Sequence, residues 1–135
     1  MLAVGIDDRK TNTLRKDALI CVLSAETGSK AVKYLRQWKI DSLVSGWDLP
    51  DMADGQLLEK VRSAKPSVPT IAIIRAGDRS QEIAARGLGV SAVLSEDMDD
   101  SHFCETVRQL LRLESNEYIR DVHICKKFET IGSDP

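Results

Sequence analysis

The stretch Pro69-Thr70-Ile71-Ala72-Ile73-Ile74 decides the fold. It is apolar almost throughout, whereas a strand with one solvated face alternates apolar and polar residues. A continuous apolar run of this length, introduced by a proline, is typical of a strand buried on both faces of a parallel sheet. Such a sheet needs helices on both sides. The residues around this run should therefore alternate short strands with amphipathic helices.

The rest of the sequence shows that alternation. Four more strands are predicted, at Leu2–Ile6, Ile20–Leu23, Asp41–Ser45 and Ser91–Leu94. Helices are predicted at Thr11–Leu19 (with Thr11 or Asp8 as N-cap), at Lys30–Lys39, around Leu57, Leu58 and Val61, at Ser80–Arg86 and from Asp99 onward. This order predicts an α/β fold, a doubly wound five-stranded parallel sheet with the flavodoxin-like strand order 2-1-3-4-5. Its functional crevice should lie where the first and third strands end, at Asp7-Asp8 and Ser45-Gly46.

Composition restricts the class of protein. A chain of 135 residues fits one domain, and its net charge of −2 argues against a basic nucleic-acid-binding face. No apolar run approaches the roughly 20 residues that span a bilayer. The three cysteines show no paired spacing, which favours a reducing compartment. We therefore expect a cytoplasmic protein with no nucleic-acid contact, no membrane contact and no cofactor.

Four stretches near the predicted strand ends resemble the receiver domains of two-component response regulators, the CheY-like family. They are Asp7-Asp8, Ala25–Ala31, Trp47–Met52 with Asp54-Gly55, and Gly87–Leu94. The stretches follow one another in the order of the family. The resemblance implies a receiver-like domain over residues 1–113, followed by a helical extension or linker over residues 114–135.

The same resemblance implies that the reactive positions are altered. The family's phosphoacceptor aspartate lies four residues before the loop proline, and the residue four before Pro50 is Gly46. A serine or threonine usually ends the fourth strand and a lysine the fifth, but here those positions hold Arg75 and Glu96. The resemblance therefore implies a degenerate receiver, or pseudo-receiver, without a phosphoacceptor.

Phosphoryl transfer in the family also needs a divalent ion, which Asp7 and Asp8 would have to hold without a third carboxylate. We expect no metal site, and we expect Arg75 to occupy the crevice by pairing with these aspartates and with Glu96. Two alternatives stay open. One is a residual magnesium site at Asp7-Asp8, and the other is phosphorylation at Asp48, the nearest acid to the lost acceptor.

The expected function is a non-enzymatic module of two-component (phosphorelay) signalling that works by protein–protein contact. The partner would be a sensor kinase, an output domain or a second copy, bound at the family's usual output face, about Arg79 to Leu113. A magnesium-dependent phosphoacceptor using an unorthodox aspartate is one alternative. The other is the regulatory domain of a transcription regulator, because Phe128–Pro135 weakly resembles the start of the ATPase module in NtrC-type enhancer-binding regulators.

Overall fold

The computed structural model describes residues 1–17 and 20–114. The strands are β1 (Leu2–Val4), β2 (Leu23–Ala25), β3 (Leu43–Gly46), β4 (Thr70–Ile74) and β5 (Ala92–Ser95). The helices are α1 (Asp8–Arg15), α2 (Gly28–Gln37), α3 (Gln56–Ala64), α4 (Arg79–Gly87) and α5 (Asp100–Glu114). The predicted extension at 114–135 lies outside the described residues, apart from the end of α5.

The five strands form one parallel sheet in the order β2-β1-β3-β4-β5. This confirms the predicted topology. Every residue of β4 is buried, as its apolar run predicted. None of the described helices is long and apolar enough to cross a membrane.

Each face of the sheet carries its own apolar core. One core packs α2, α3 and α4 on the sheet and includes Leu35, Leu58 and Ala85. The other packs α1 and α5 on the opposite face and includes Leu14 and Phe103. Helices therefore cover both faces, which buries β1, β4 and all of β3 except Gly46, and leaves the carboxyl ends of the strands open to the loops.

Most predicted elements differ from the structure by one or two residues at an end, and α1 and β2 begin three residues away from their predicted starts. Helix α1 begins three residues before the predicted Thr11, because the side chain of Asp7 accepts a hydrogen bond from the backbone N–H of Lys10 and caps the helix there. The hydroxyl of Thr11 instead donates to the Asp7 carbonyl at 3.0 Å. The strand predicted at Ile20–Leu23 is buried there, but its parallel pairing with β1 begins only at Leu23. Residues 20–22 are apolar because they are buried, although they do not pair with β1 as a strand would.

A tryptophan fixes the loop between β3 and α3. Trp47 is buried, and its backbone carbonyl accepts a hydrogen bond of 2.9 Å from Gly55. Gly55 has a φ of 73°, and a Cβ atom there would lie 2.5 Å from the Trp47 ring. Only glycine fits both the left-handed backbone and the close ring. The loop that carries Asp48 is thereby held over the end of β3.

Candidate functional site

A cavity of about 320 Å³ opens at the carboxyl ends of β1, β3 and β4. Its lining residues are Gly5, Ile6, Asp7, Lys10, Gly46, Trp47, Asp48, Ile73, Arg75, Gln81 and Glu96. Of the residues predicted for the crevice, the structure brings together Asp7, Gly46, Asp48, Arg75 and Glu96 but not Asp8. Lys10 and Gln81 line the cavity without having been predicted from the sequence.

Two glycines form the floor of this cavity. Because Val4 pairs with Ser45, the next residues, Gly5 and Gly46, lie level with each other. A Cβ atom on Gly46 would lie 3.4 Å from the Gly5 carbonyl oxygen. Gly5 has a φ of 63°, and a Cβ atom there would lie 2.5 Å from Leu49 Cδ2. Neither Gly46, which ends β3, nor Gly5, which directly follows β1, therefore supplies a side chain, and Gly5 has no room for one.

Asp7 and Asp8 have different surroundings. Asp7 Oδ1 accepts a hydrogen bond of 2.9 Å from the Lys10 backbone N–H, and Asp7 Oδ2 lies 3.2 Å from the Lys10 ammonium. Partial burial acts to raise the pKa of Asp7, but these bonds hold it below its ordinary value. Asp8 is exposed in the first turn of α1, outside the cavity. The two carboxylates do not form a pair around a shared site.

Lys10 is the buried cation of the site. It is 6% exposed, and its Nζ lies 3.2 Å from Asp7 Oδ2 and 3.4 Å from Asp100 Oδ1. The second carboxylate oxygen of Asp100 lies 3.3 Å from Arg9 Nε. The ammonium therefore joins the start of α1 to the start of α5.

The expected ion pairs of Arg75 are not formed. Within the described part of the chain, no ion pair joins Arg75 to Asp7, Asp8 or Glu96, and Arg75 is exposed. That prediction is wrong because Lys10 already neutralises Asp7 from the interior. An exposed guanidinium gains little from pairing across a solvated cavity mouth.

Gln81 ties two loops together across the cavity mouth. Its Nε2 donates to Asp48 Oδ2 at 3.0 Å, and its Oε1 accepts from the Arg75 backbone N–H at 2.9 Å. The other oxygen of Asp48 accepts from the Asp54 backbone N–H at 2.9 Å. Both oxygens of Asp48 are therefore engaged, and the β4–α4 loop is fastened to the β3–α3 loop.

The sequence profile of the response regulator receiver domain matches residues 6–112. The chain belongs to the response regulator receiver family. This receiver is similar in sequence to the transcriptional regulatory protein GlrR of Escherichia coli K12, with 24% identity over 90 residues, 67% of this chain and 20% of that protein. It therefore spans about one fifth of the length of that relative.

Solved structures of receivers share the fold. The signal receiver domain of an HD domain-containing protein from Pseudomonas fluorescens Pf-5 matches with a TM-score of 0.70 and 23% identity, over 88% of this chain and 90% of that one. The receiver domain of NtrX from Brucella abortus matches with a TM-score of 0.73 and 13% identity, over 83% and 98% of the two chains.

The receiver family implies a divalent cation in the crevice, and the side chains of this receiver do not fit one. A hard cation such as Mg²⁺ takes carboxylate oxygens in near-octahedral geometry. Gly5 and Gly46 supply none, and the Lys10 ammonium already contacts Asp7. Among the described residues, no cluster of three or more acidic, histidine or cysteine side chains is arranged to hold a metal ion.

Lys10 and Gln81, the two polar side chains of the cavity that were not predicted, had unequal signals in the sequence. Lys10 follows Asp7 by three residues, which is the spacing of an N-cap and the N–H groups it satisfies. Placing the cap at Asp7 would have put Lys10 on the first turn of a helix beside the crevice. Gln81 had no comparable signal, because its partner Asp48 is 33 residues away.

Proposed function

We propose that this chain is a pseudo-receiver, a signalling module that acts through protein–protein contact without phosphorylation of an aspartate. The observation that carries the proposal is Gly46 on the cavity floor, at the place of the family's acceptor. Ser45 is no substitute nucleophile, because it is fully buried and its hydroxyl donates to the Gly46 carbonyl at 2.9 Å. An acceptor must present a free oxygen in line with the incoming phosphorus.

The nearby carboxylates also support the proposal. Asp48 accepts hydrogen bonds on both oxygens, from Asp54 and Gln81. Asp7 is engaged by the backbone and the ammonium of Lys10. Each would have to attack a phosphodonor through an oxygen that already accepts a hydrogen bond, which makes it a weaker nucleophile. The alternative of an unorthodox phosphoacceptor therefore has less support.

The remaining reactive positions oppose a phosphoryl group. Glu96 lines the cavity at the position where the family has a lysine, and its negative charge would repel a phosphorylated carboxylate. Arg75 stands where the family has a serine or threonine, and its side chain is exposed. Arg75 and Glu96 thus replace both side chains that contact the phosphoryl group in the family. This favours a module that does not change conformation on phosphorylation.

The proposed contact surface is the face of α4, β5 and α5. On α4, Ile83 is 69% exposed, the one large apolar side chain that is so exposed in the described part of the chain. A single exposed aliphatic side chain is ordinary on a protein surface. The resemblance to receivers is what assigns this face to a protein partner, namely a sensor kinase, an output domain or a second copy, and Ile83 is the residue with which to test it. The match to one fifth of GlrR favours an output domain, with this receiver as the regulatory part of an NtrC-type transcription regulator.

The chemical part of the proposal is tested with acetyl phosphate. The purified chain is incubated with the donor and Mg²⁺, and its intact mass is measured. We expect no gain of a phosphoryl group at any donor concentration. A magnesium-dependent adduct that maps to Asp48, Asp7 or Asp8 would contradict the proposal and would support the unorthodox acceptor.

The contact surface is tested by substitution. Ile83→Asp should weaken association of the chain with itself or with its output domain, measured by analytical ultracentrifugation. Lys60→Asp, an exposed residue on α3, is the control on a different helix and should leave association unchanged. Equal effects of the two substitutions would place the contact elsewhere.

A further inference from the structure

We propose that the Lys10 ammonium is the built-in cation of this crevice and takes the electrostatic place that a divalent ion has in receivers with an acidic crevice. The inference rests on the proposed function, since a crevice that receives no phosphoryl group needs no exchangeable ion. It goes further by naming the group that neutralises Asp7 at the crevice and by predicting that metal ions do not act on the wild-type chain.

The burial of Lys10 is the first step of the argument. Its side chain is 8% exposed, whereas lysines are almost never fully buried unless they are paired. Transfer of an ammonium out of water is strongly unfavourable without counter-charges and hydrogen bonds. The structure supplies both through Asp7 at 3.2 Å and Asp100 at 3.4 Å. The ammonium is thus held in place by the fold itself.

The origin of the two carboxylates is the second step. Asp7 is the N-cap of α1, directly after β1, and Asp100 is the first residue of α5, directly after the β5–α5 loop. A single positive charge therefore links two segments that are distant in sequence and meet at the edge of the cavity. Linking carboxylates from separate loops is what a bound cation does in a metal site.

The local charge balance is the third step. The carboxylates of Asp7 and Asp100 are matched by the ammonium of Lys10 and by the guanidinium of Arg9, 3.3 Å from Asp100. A divalent cation at Asp7 would have to displace or approach the ammonium on the same oxygen. Like charges at that distance repel each other. The wild-type crevice should therefore reject divalent ions.

The first measurement uses the wild-type chain. Mn²⁺ binding is followed by electron paramagnetic resonance, and thermal unfolding is recorded with and without millimolar Mg²⁺. We expect no bound Mn²⁺ and no magnesium-dependent change in the melting temperature, because a ligand that binds the folded state would raise it. Stoichiometric Mn²⁺ binding or a clear magnesium-dependent rise would overturn the inference.

The second measurement uses Lys10→Met, with Lys16→Met as the matched control. Lys16 is exposed at the other end of the same helix. Lys10→Met should lower the melting temperature by about 5–15 °C, since it leaves Asp7 without its counter-charge and Asp100 with the exposed Arg9 alone. Millimolar Mg²⁺ should restore part of that loss, and it should act on neither the wild type nor Lys16→Met.

The response of Lys10→Met to Mg²⁺ distinguishes two roles of Lys10, one as a substitute for a divalent cation and the other as a member of an ordinary structural ion pair. A Lys10→Met protein that is destabilised but unaffected by Mg²⁺ would overturn the inference, as would one as stable as Lys16→Met. If Lys10→Met does not fold, the Mn²⁺ titration of the wild type decides. Mn²⁺ binding to the wild type without phosphorylation would contradict this inference alone. Phosphorylation of the wild type would contradict the proposed function.

Discussion

Asp51 Oδ1 accepts a hydrogen bond of 2.8 Å from the backbone N–H of Gly28, 23 residues earlier in the chain. Its second oxygen accepts from the backbone N–H and the hydroxyl of Ser29, at 2.9 Å and 2.7 Å. These are N–H groups at the start of α2, which have no partner inside the helix. The loop after β3 therefore caps α2 from outside, in addition to the local cap by Thr27.

This cap makes stability depend on pH. The bonds from Ser29 and Gly28 hold the pKa of Asp51 below its ordinary value. A carboxyl group whose pKa is lower in the folded than in the unfolded protein stabilises the fold at pH values above its unfolded pKa of about 3.9. This stabilisation is lost as the pH falls through the pKa of the folded state. Asp51→Asn should therefore lower the melting temperature at pH 7, and its deficit should shrink as the pH falls below about 4.

The control for that prediction is Asp41→Asn, because Asp41 is half-buried and forms no ion pair among the described residues. Its effect on the melting temperature at pH 7 should be small. Melting temperatures between pH 7 and pH 3 test both variants. A deficit of Asp51→Asn that stays constant over this range would contradict the assignment.

Two glycines should respond oppositely to alanine. Gly5→Ala should destabilise the fold by about 1–3 kcal/mol, because it forces a side chain into a left-handed backbone. The new Cβ would also lie 2.5 Å from Leu49 Cδ2. Gly87→Ala should be neutral or stabilising by up to about 1 kcal/mol, because Gly87 is helical with open space around it. Urea unfolding compares them, and equal losses would refute the strain argument.

The bridge made by Gln81 should control local opening. Gln81→Glu keeps an acceptor for the Arg75 N–H but places a charge against Asp48, whereas Gln81→Ala removes both bonds. Hydrogen exchange at the Arg75 amide should therefore accelerate in Gln81→Ala more than in Gln81→Glu. The loss in the free energy of unfolding should stay below about 1.5 kcal/mol, since the bridge is exposed. Unchanged exchange in both variants would show that the bridge does not hold the loop.

Adding a carboxylate at residue 46 should not make this chain a phosphoacceptor. Gly46→Asp is sterically tolerated, because its Cβ would lie 3.4 Å or more from its nearest neighbours. The Gly46→Asp protein should fold but remain unphosphorylated by acetyl phosphate, since the Lys10 ammonium contacts Asp7 and Glu96 adds a negative charge to the cavity lining. Intact mass measures the outcome. A magnesium-dependent adduct on this variant would mean that the crevice had lost only its acceptor.

The sequence predicted the fold well because the fold follows from patterns that a chain displays locally. The apolar run that ends at Ile74 requires burial on both faces, and short connections leave few strand orders. Strand ends in a parallel sheet meet at one edge, so the crevice at Asp7 and Gly46 could be predicted as well, and the family resemblance added Asp48, Arg75 and Glu96. The start of α1 was misplaced because the apolar pattern begins at Leu14, while the helix is set by a polar cap at Asp7.

The electrostatics of the site could not be predicted in the same way. The buried ammonium of Lys10 is paired with Asp100, and the side chain of Gln81 is held by Asp48. In each pair the two residues are far apart in the sequence. No period or spacing encodes such pairs. Arg75 was predicted to enter the cavity because it was the visible cation at a strand end. The choice between it and Lys10 depends on which one reaches the interior, and that depends on where α1 begins.

The packing of Trp47 against Gly55 gives the protein an optical reporter beside its crevice. The chain has two tryptophans, and the other, Trp38, is only partly buried. Trp47 lines the cavity and is 5% exposed, so its emission should be blue-shifted and shielded from a dissolved quencher. With Trp38 replaced by phenylalanine, any event that moves the loop away from the end of β3 would shift the wavelength of the Trp47 emission maximum. Partner binding can then be followed in solution without an attached dye.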